Sequence, residues 1–155
     1  MDTPDVEAQF KEKPHIEFVM LADHAAAIDG KLYMNGGGWT DHNRPVAAGQ
    51  TPLSAFSIAL SVFVPWGDTN RPIDLNLTVE DDDGNKLVDM KTQMVVGRSP
   101  LLKPGTGQHS PLAINAVTMF PKTGGYRVVV KFADDTRTWP FRVNDIPNQQ
   151  QQKAG

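Results

Sequence analysis

The chain has 155 residues, no cysteine, and 15 basic against 18 acidic side chains, giving a formal charge of −3. That length corresponds to one domain, and the lack of cysteine excludes a disulfide framework, thiolate metal sites and cysteine nucleophiles. No basic face is visible that would displace counterions from nucleic acid.

The opening, MDTPDVEAQFKEK, has neither a basic start nor an apolar stretch. The longest nearly apolar run, Ala55 to Trp66, is well short of the ~20 residues a membrane helix needs. The expectation is a soluble cytoplasmic protein with no cofactor, no nucleic-acid partner and no membrane contact. Residues 1–13 are polar apart from Val6 and Phe10 and are expected to form a flexible arm.

Strands are expected at Ile16–Ala22 and Leu32–Gly36, with at most one helical turn over residues 24–28 between them. Asn35-Gly36-Gly37-Gly38-Trp39 is not a phosphate loop, because no Gly-Lys-Ser/Thr and no helix follow. A long connection then runs from Gly37 to Pro52.

Phe56, Ile58, Leu60, Val62 and Val64 form an apolar stripe. Alternation puts Ala55, Ser57, Ala59, Ser61 and Phe63 on the opposite face. Such small side chains let another surface approach, so this face is the candidate partner surface.

Ile73, Leu75, Leu77 and Val79 alternate with polar residues, and Asp83-Gly84-Asn85 reads as a hairpin turn. The carboxylates of that turn suit calcium by type, but the ordered ligand set of a calcium loop is missing. Leu87–Val96 is polar at Asp89, Lys91 and Gln93, as expected of an edge strand. A second long connection, Gly97–Pro111, precedes a strand at Leu112–Met119.

A turn containing Gly124 and Gly125 opens the strand Tyr126–Phe132, an arrangement resembling a tyrosine corner. After a turn at 133–136 the last strand carries Trp139, Phe141 and Val143, with Pro140 marking an edge position. Residues 144–155 (NDIPNQQQQKAG) are expected to be a disordered tail. The predicted fold is a single all-β domain over residues 14–143, an eight-stranded antiparallel β-sandwich of immunoglobulin-like, Greek-key type.

If consecutive strands run antiparallel, successive connections alternate between the two ends of the sandwich. One end then gathers His24, Trp66, Asp68, Arg71, Arg98, Lys103, His109 and Asp134, the candidate ligand-binding residues. The other gathers Trp39 to Gln50, Asp82 to Asn85 and Lys122 to Gly125. The four histidines, His15, His24, His42 and His109, lack close metal-ligand spacing, and no metal is assigned. His24 and His109 are expected to meet, with His42 at the far end. No nucleophile elbow or zinc-protease motif occurs.

Several short stretches, in order, carry a resemblance. They are Leu21-Ala22-Asp23, Asp29-Gly30-Lys31-Leu32-Tyr33, Gly36-Gly37-Gly38-Trp39, Asn70-Arg71-Pro72, Gly97-Arg98, Pro111-Leu112-Ala113, Gly125-Tyr126-Arg127-Val128 and Phe141-Arg142-Val143. Together with Asp83-Gly84 and Pro104-Gly105 they resemble a family of small stand-alone bacterial proteins of unknown function. The resemblance implies a compact sandwich and brings no activity, ligand or catalytic residue. The tails here are longer than in compact members, which suits a role in assembly.

The leading functional expectation is a non-catalytic protein-binding or assembly module, a bacterial accessory protein or a phage-encoded structural protein found in a virion, with self-association or another protein as partner. The alternative is a small-ligand or metal-binding sandwich using the His24/Trp66/Arg98/His109 end. The third is a hydrolase with Asp68 or Asp134 beside His109.

Overall fold

The computed structural model describes residues 12–147. Among these, nine β-strands form: β1 (His15–Ile28), β2 (Lys31–Gly37), β3 (Asp41–Val46), β4 (Ser54–Val64), β5 (Pro72–Asp81), β6 (Lys86–Val95), β7 (Gln108–Thr118), β8 (Gly124–Phe132) and β9 (Asp135–Pro147). A short 3-10 turn, Trp66–Asp68, follows β4. Among the described residues no helix is long and apolar enough to cross a membrane. The strands make a four-stranded sheet, β2-β1-β4-β7, and a five-stranded sheet, β3-β9-β8-β5-β6.

The main core lies between the sheets. Phe56, Ile58, Leu60, Val62 and Val64 of β4 join Leu75, Leu77 and Val79 of β5 and Val128, Val130 and Phe132 of β8 in one buried cluster. Period-two alternation brought each set to one face, and each fully buried side chain of this size contributes about 1.5–3 kcal/mol of transfer free energy. An aromatic group closes one end: Phe56, Phe120, Tyr126 and Phe141 lie with ring centroids 4.8–6.3 Å apart.

The four-stranded sheet is strongly curled. A bulge between Ile16 and Phe18 bends β1. β1 leaves the β4 ladder after Ala22 and continues with β2 as a hairpin. β2 comes close to β7 although β1 and β4 separate them in the sheet. In a flat sheet, strands two places apart already stand about 10 Å apart, so this approach requires the sheet to fold over. Small residues permit it: Ala22, Ala25 and Ala59 form a second buried cluster with Met20, Leu32 and Ala113 against it.

The strand count is therefore nine among the described residues rather than eight, and the difference has a local cause. β3 lies inside the stretch expected to be a loop. Its sequence, DHNRPV, has no apolar alternation, because it is an edge strand whose buried residue is Arg44. It pairs in parallel with β9, from Asp41–Arg142 to Val46–Pro147, so not every neighbouring pair is antiparallel. β9 consequently runs past the expected boundary at Val143. The rest of the expected tail, residues 148–155, and most of the N-terminal arm, residues 1–11, lie outside the described residues.

Residues 24–28 are strand, not a helical turn. The loop is Asp29-Gly30 alone, with φ of 52° and 73°, the pair of positive values that a two-residue hairpin turn needs and that Asp-Gly supplies. β6 is an edge strand as expected. β9 is not an edge strand, yet Pro140 still obeys the edge rule: the β3 ladder begins only at Arg142, so β9 is unpaired by β3 at the proline.

Candidate functional site

The alternation of ends fails at its first step. With β3 present, the chain reverses once more between β1 and β4 than expected. The connection after β1 therefore lies at the end opposite those after β4, β6 and β8. His24 sits within β1, exposed and opposite Asn35 of β2. His109 lies across from Phe63, which lies across from His15. The nine-residue step from His15 to His24 along β1 is about 30 Å, so His24 and His109 do not meet.

Four of the other candidates do converge. The Arg98 guanidinium lies 4.1 Å from the centroid of the Trp66 ring. Its Nε donates to Thr69 Oγ1 at 2.5 Å and a terminal nitrogen donates to the Trp66 carbonyl at 3.0 Å. Arg71 pairs with Asp68 within the same turn. Asn70 N donates to the Val96 carbonyl at 2.8 Å, and Gln108 Nε2 donates to the Gly97 carbonyl. Arg98 therefore clamps the β6–β7 connection onto the turn after β4. Two of its five donors and the indole face are engaged within the protein. Lys103 lies in the same connection, in a turn closed by Thr106 N on its carbonyl at 3.1 Å. Asp134 is in the β8–β9 turn, where it, Arg71, Asp74 and Gln93 border an open depression of about 450 Å³.

His109 has a different carboxylate beside it from those expected. Its Nδ1 is 2.7 Å from Glu17 Oε2, and Ser61 Oγ donates to Glu17 Oε1 at 2.8 Å. The order is hydroxyl, carboxylate, imidazole. Nucleophilic catalysis needs the imidazole next to the hydroxyl, so this chain of bonds does not activate Ser61, which is itself buried. Glu17 was missed because it is the extra residue of a bulge, and nothing in its sequence neighbourhood marks the bulge.

The expected partner face is corrected most clearly. Ser57, Ala59 and Ser61 are buried, with 2%, 0% and 5% exposure. The curled hairpin covers this face: Ala25 N donates to Ser57 Oγ at 3.1 Å, and Ser57 Oγ donates to Asn115 Oδ1 at 2.7 Å. Phe63 is half-buried between the rings of His15 and His109, each 5.2 Å away. Only Ala55 is fully open.

At the opposite end, Asp81 organises the hairpin turn. Its Oδ1 accepts from the backbone of Asp83 and Asn85, both at 2.9 Å, and its Oδ2 accepts from the Asn85 side chain at 3.0 Å. The Asn85 side-chain bond, against the opposing effect of burial, holds the carboxyl below its ordinary range. The carboxylate is thus committed to its own turn. Among the described residues no group of three or more His, Cys, Asp or Glu side chains is placed to hold a metal.

β3 supplies two more polar residues that the loop reading hid. His42 Nε2 is 2.8 Å from Ser54 Oγ, and the ring stacks on Trp39 at 5.6 Å. Burial, then the nearby Arg44 charge, lower its pKa, while Asp23 acts the other way. Arg44 is buried and donates to Asp145 Oδ1 at 2.5 Å and to the Phe120 carbonyl at 2.7 Å. The Trp39 indole nitrogen is enclosed with no acceptor among the described residues. At the start of β8, the Tyr126 hydroxyl donates to the Lys122 carbonyl at 2.6 Å, the bond expected of a tyrosine corner.

Fold and side chains together define a two-sheet, all-β sandwich-like domain. The chain belongs to a family of unknown function, DUF6941, which matches residues 17–144. No curated protein matches it. Among solved structures it is similar to a "putative beta-galactosidase" from Bacteroides fragilis, at 13% identity and a TM-score of 0.49 over 83% of this chain and 17% of that one. It is also similar to a β-glucosidase from Listeria innocua in complex with gluconolactone, at 7% identity and a TM-score of 0.42 over 84% of this chain and 16% of that one. The chain spans about a sixth of the length of these enzymes, and likeness at this level carries no argument about activity.

Proposed function

We propose that this protein is a non-catalytic assembly module that associates with a second copy of itself through the outer side of the β1–β2 hairpin. One observation carries the reading. The hairpin has left the β4 ladder, yet it exposes Ile28 and Tyr33 on one face at 54% each. A two-stranded ribbon is marginal alone, and apolar side chains grouped on it favour burial against a partner. Among the described residues the outer edge of β2 is also unpaired, so two copies related by a two-fold axis have backbone groups to share.

An immunoglobulin-like type of fold is part of this proposal. The neighbours β1-β4-β7 and β5-β8-β9 correspond to the A-B-E and C-F-G adjacencies of that fold, and the Tyr126–Lys122 bond supports it. A role as a bacterial accessory or phage-encoded structural component accords with self-assembly.

The test is light scattering on the full chain at concentrations up to about 100 µM, the range in which weak interfaces populate. Dimers that become monomers in Ile28→Asp/Tyr33→Asp support the reading. A wild-type monomer throughout overturns it. Dimers that survive the double substitution also overturn the hairpin as the contact.

A further inference from the structure

The outer face of the five-stranded sheet, away from both ends of the sandwich, carries basic groups that no interaction described above uses. Lys91 of β6 and Lys131 of β8 are each directly opposite Asn76 of β5, so the three side chains leave the same face. Thr136 continues the row on β9. The next row is Asp89, Thr78 and Val129, and the one beyond it is Lys86, Glu80 and Arg127.

Every carboxylate around this row is engaged. Glu80 accepts from Arg127 Nε at 2.6 Å, Asp89 pairs with Lys86 at 3.7 Å, and Asp74, on the far side, accepts from Gln93 at 3.0 Å. Among the described residues, neither Lys91 nor Lys131 is within ion-pair distance of a carboxylate. Their Cα atoms are two strand spacings apart, about 10 Å. Their long stems allow both ammonium groups to reach over Asn76. Asn76, Lys91 and Lys131 line a concavity of about 330 Å³ together with Lys86 and the paired carboxylates Glu80 and Asp89, large enough for a small ligand.

Two like charges flanking a carboxamide repel each other until an anion lies between them. The Asn76 amide adds a neutral donor at the floor, while the Thr78 hydroxyl donates to Glu80 Oε2 at 3.4 Å. We propose that this face binds the oxyanion group of a small ligand, a phosphate or a sulfate, between Lys91 and Lys131. Both sources share the chemistry that the lysines recognise, so separate titrations tell them apart.

The test is a ¹H–¹⁵N titration of the full chain with inorganic phosphate and, separately, with sulfate, at low ionic strength. Saturable shifts centred on Asn76, Thr78, Lys91 and Lys131 support the site. So does weakening by at least about tenfold in Lys91→Met/Lys131→Met, with binding retained in Lys91→Arg/Lys131→Arg. Saturation by phosphate alone identifies a phosphate group, by sulfate alone a sulfate, and by both a general oxyanion site. Shifts that rise without saturating, that centre on other lysines such as Lys122, or that persist unchanged in the methionine variant overturn the proposal. These residues are exposed, so the spectrum away from the face should match the wild type and show that the variants fold.

Discussion

Arg44 reaches from β3 to Asp145 on β9, and the two ends of that bond stand in different surroundings. The arginine side chain is 7% exposed and the aspartate 40%. Removing each partner should therefore cost different amounts. Asp145→Ala strands a buried guanidinium with only the Phe120 carbonyl as a partner, at a cost of about 3 kcal/mol. Arg44→Met leaves a carboxylate that water can still reach, and should cost about 2 kcal/mol, chiefly for the lost packing and the freed carbonyl. Urea unfolding of both variants checks the order. Equal costs would mean that the bond is solvated at both ends.

His42 makes stability depend on pH. Its pKa is lowered in the folded protein, so the unfolded chain takes up the proton first on acidification. The contribution is present above the ordinary histidine value of about 6.5 and is lost as pH falls through the folded value. Urea midpoints at about pH 7.5 and pH 5.5 should differ less in His42→Phe than in the wild type. An unchanged difference would exclude His42 as the group responsible.

Tyr126→Phe removes one hydrogen bond while the ring keeps its packing on Phe120 and Phe141. The expected loss is about 1 kcal/mol, read as a lower thermal midpoint with an unchanged circular dichroism spectrum. A variant as stable as the wild type would mean that water replaces the phenol at no cost.

Ala55 and Ala59 are on the same face of β4, and the structure distinguishes them sharply. Ala59→Leu overfills the small cluster under the hairpin and should cost about 2 kcal/mol, with faster amide exchange in β1 and β2. Ala55→Leu adds its methyl groups in the open and should change stability by less than about 0.5 kcal/mol. Similar effects at both positions would show that the hairpin does not cover the face in solution.

These residues also mark how much the sequence disclosed. Strands with period-two apolar patterns, such as Ile73–Val79 and Tyr126–Phe132, were legible because one face of each meets the core. β3 was not, because its place is specified by a buried arginine and a partner strand far along the chain. Losing it inverted the parity of every later connection relative to β1, which is why His24 was grouped with His109. Trp66, Asp68, Arg71 and Arg98 were grouped correctly, since they follow strands on the same side of that error. The small residues of β4 were recognised as permitting a close approach. That the approaching surface was the protein's own hairpin depended on a bulge and a curl, which alternation does not encode.

The pairing of β3 with β9 also bears on how the chain is made. Asn43 and Asn144, hydrogen-bonded at 3.0 Å, are 101 positions apart, a contact of very high order. At ordinary ribosomal speeds the second residue is polymerised roughly 5–20 s after the first. Throughout that interval β3 has no ladder to join. A β-branched, apolar strand left waiting so long would invite pairing with other chains. Asp-His-Asn-Arg-Pro-Val is a poor partner for such pairing, so the composition that hides β3 as a strand also protects it until β9 arrives.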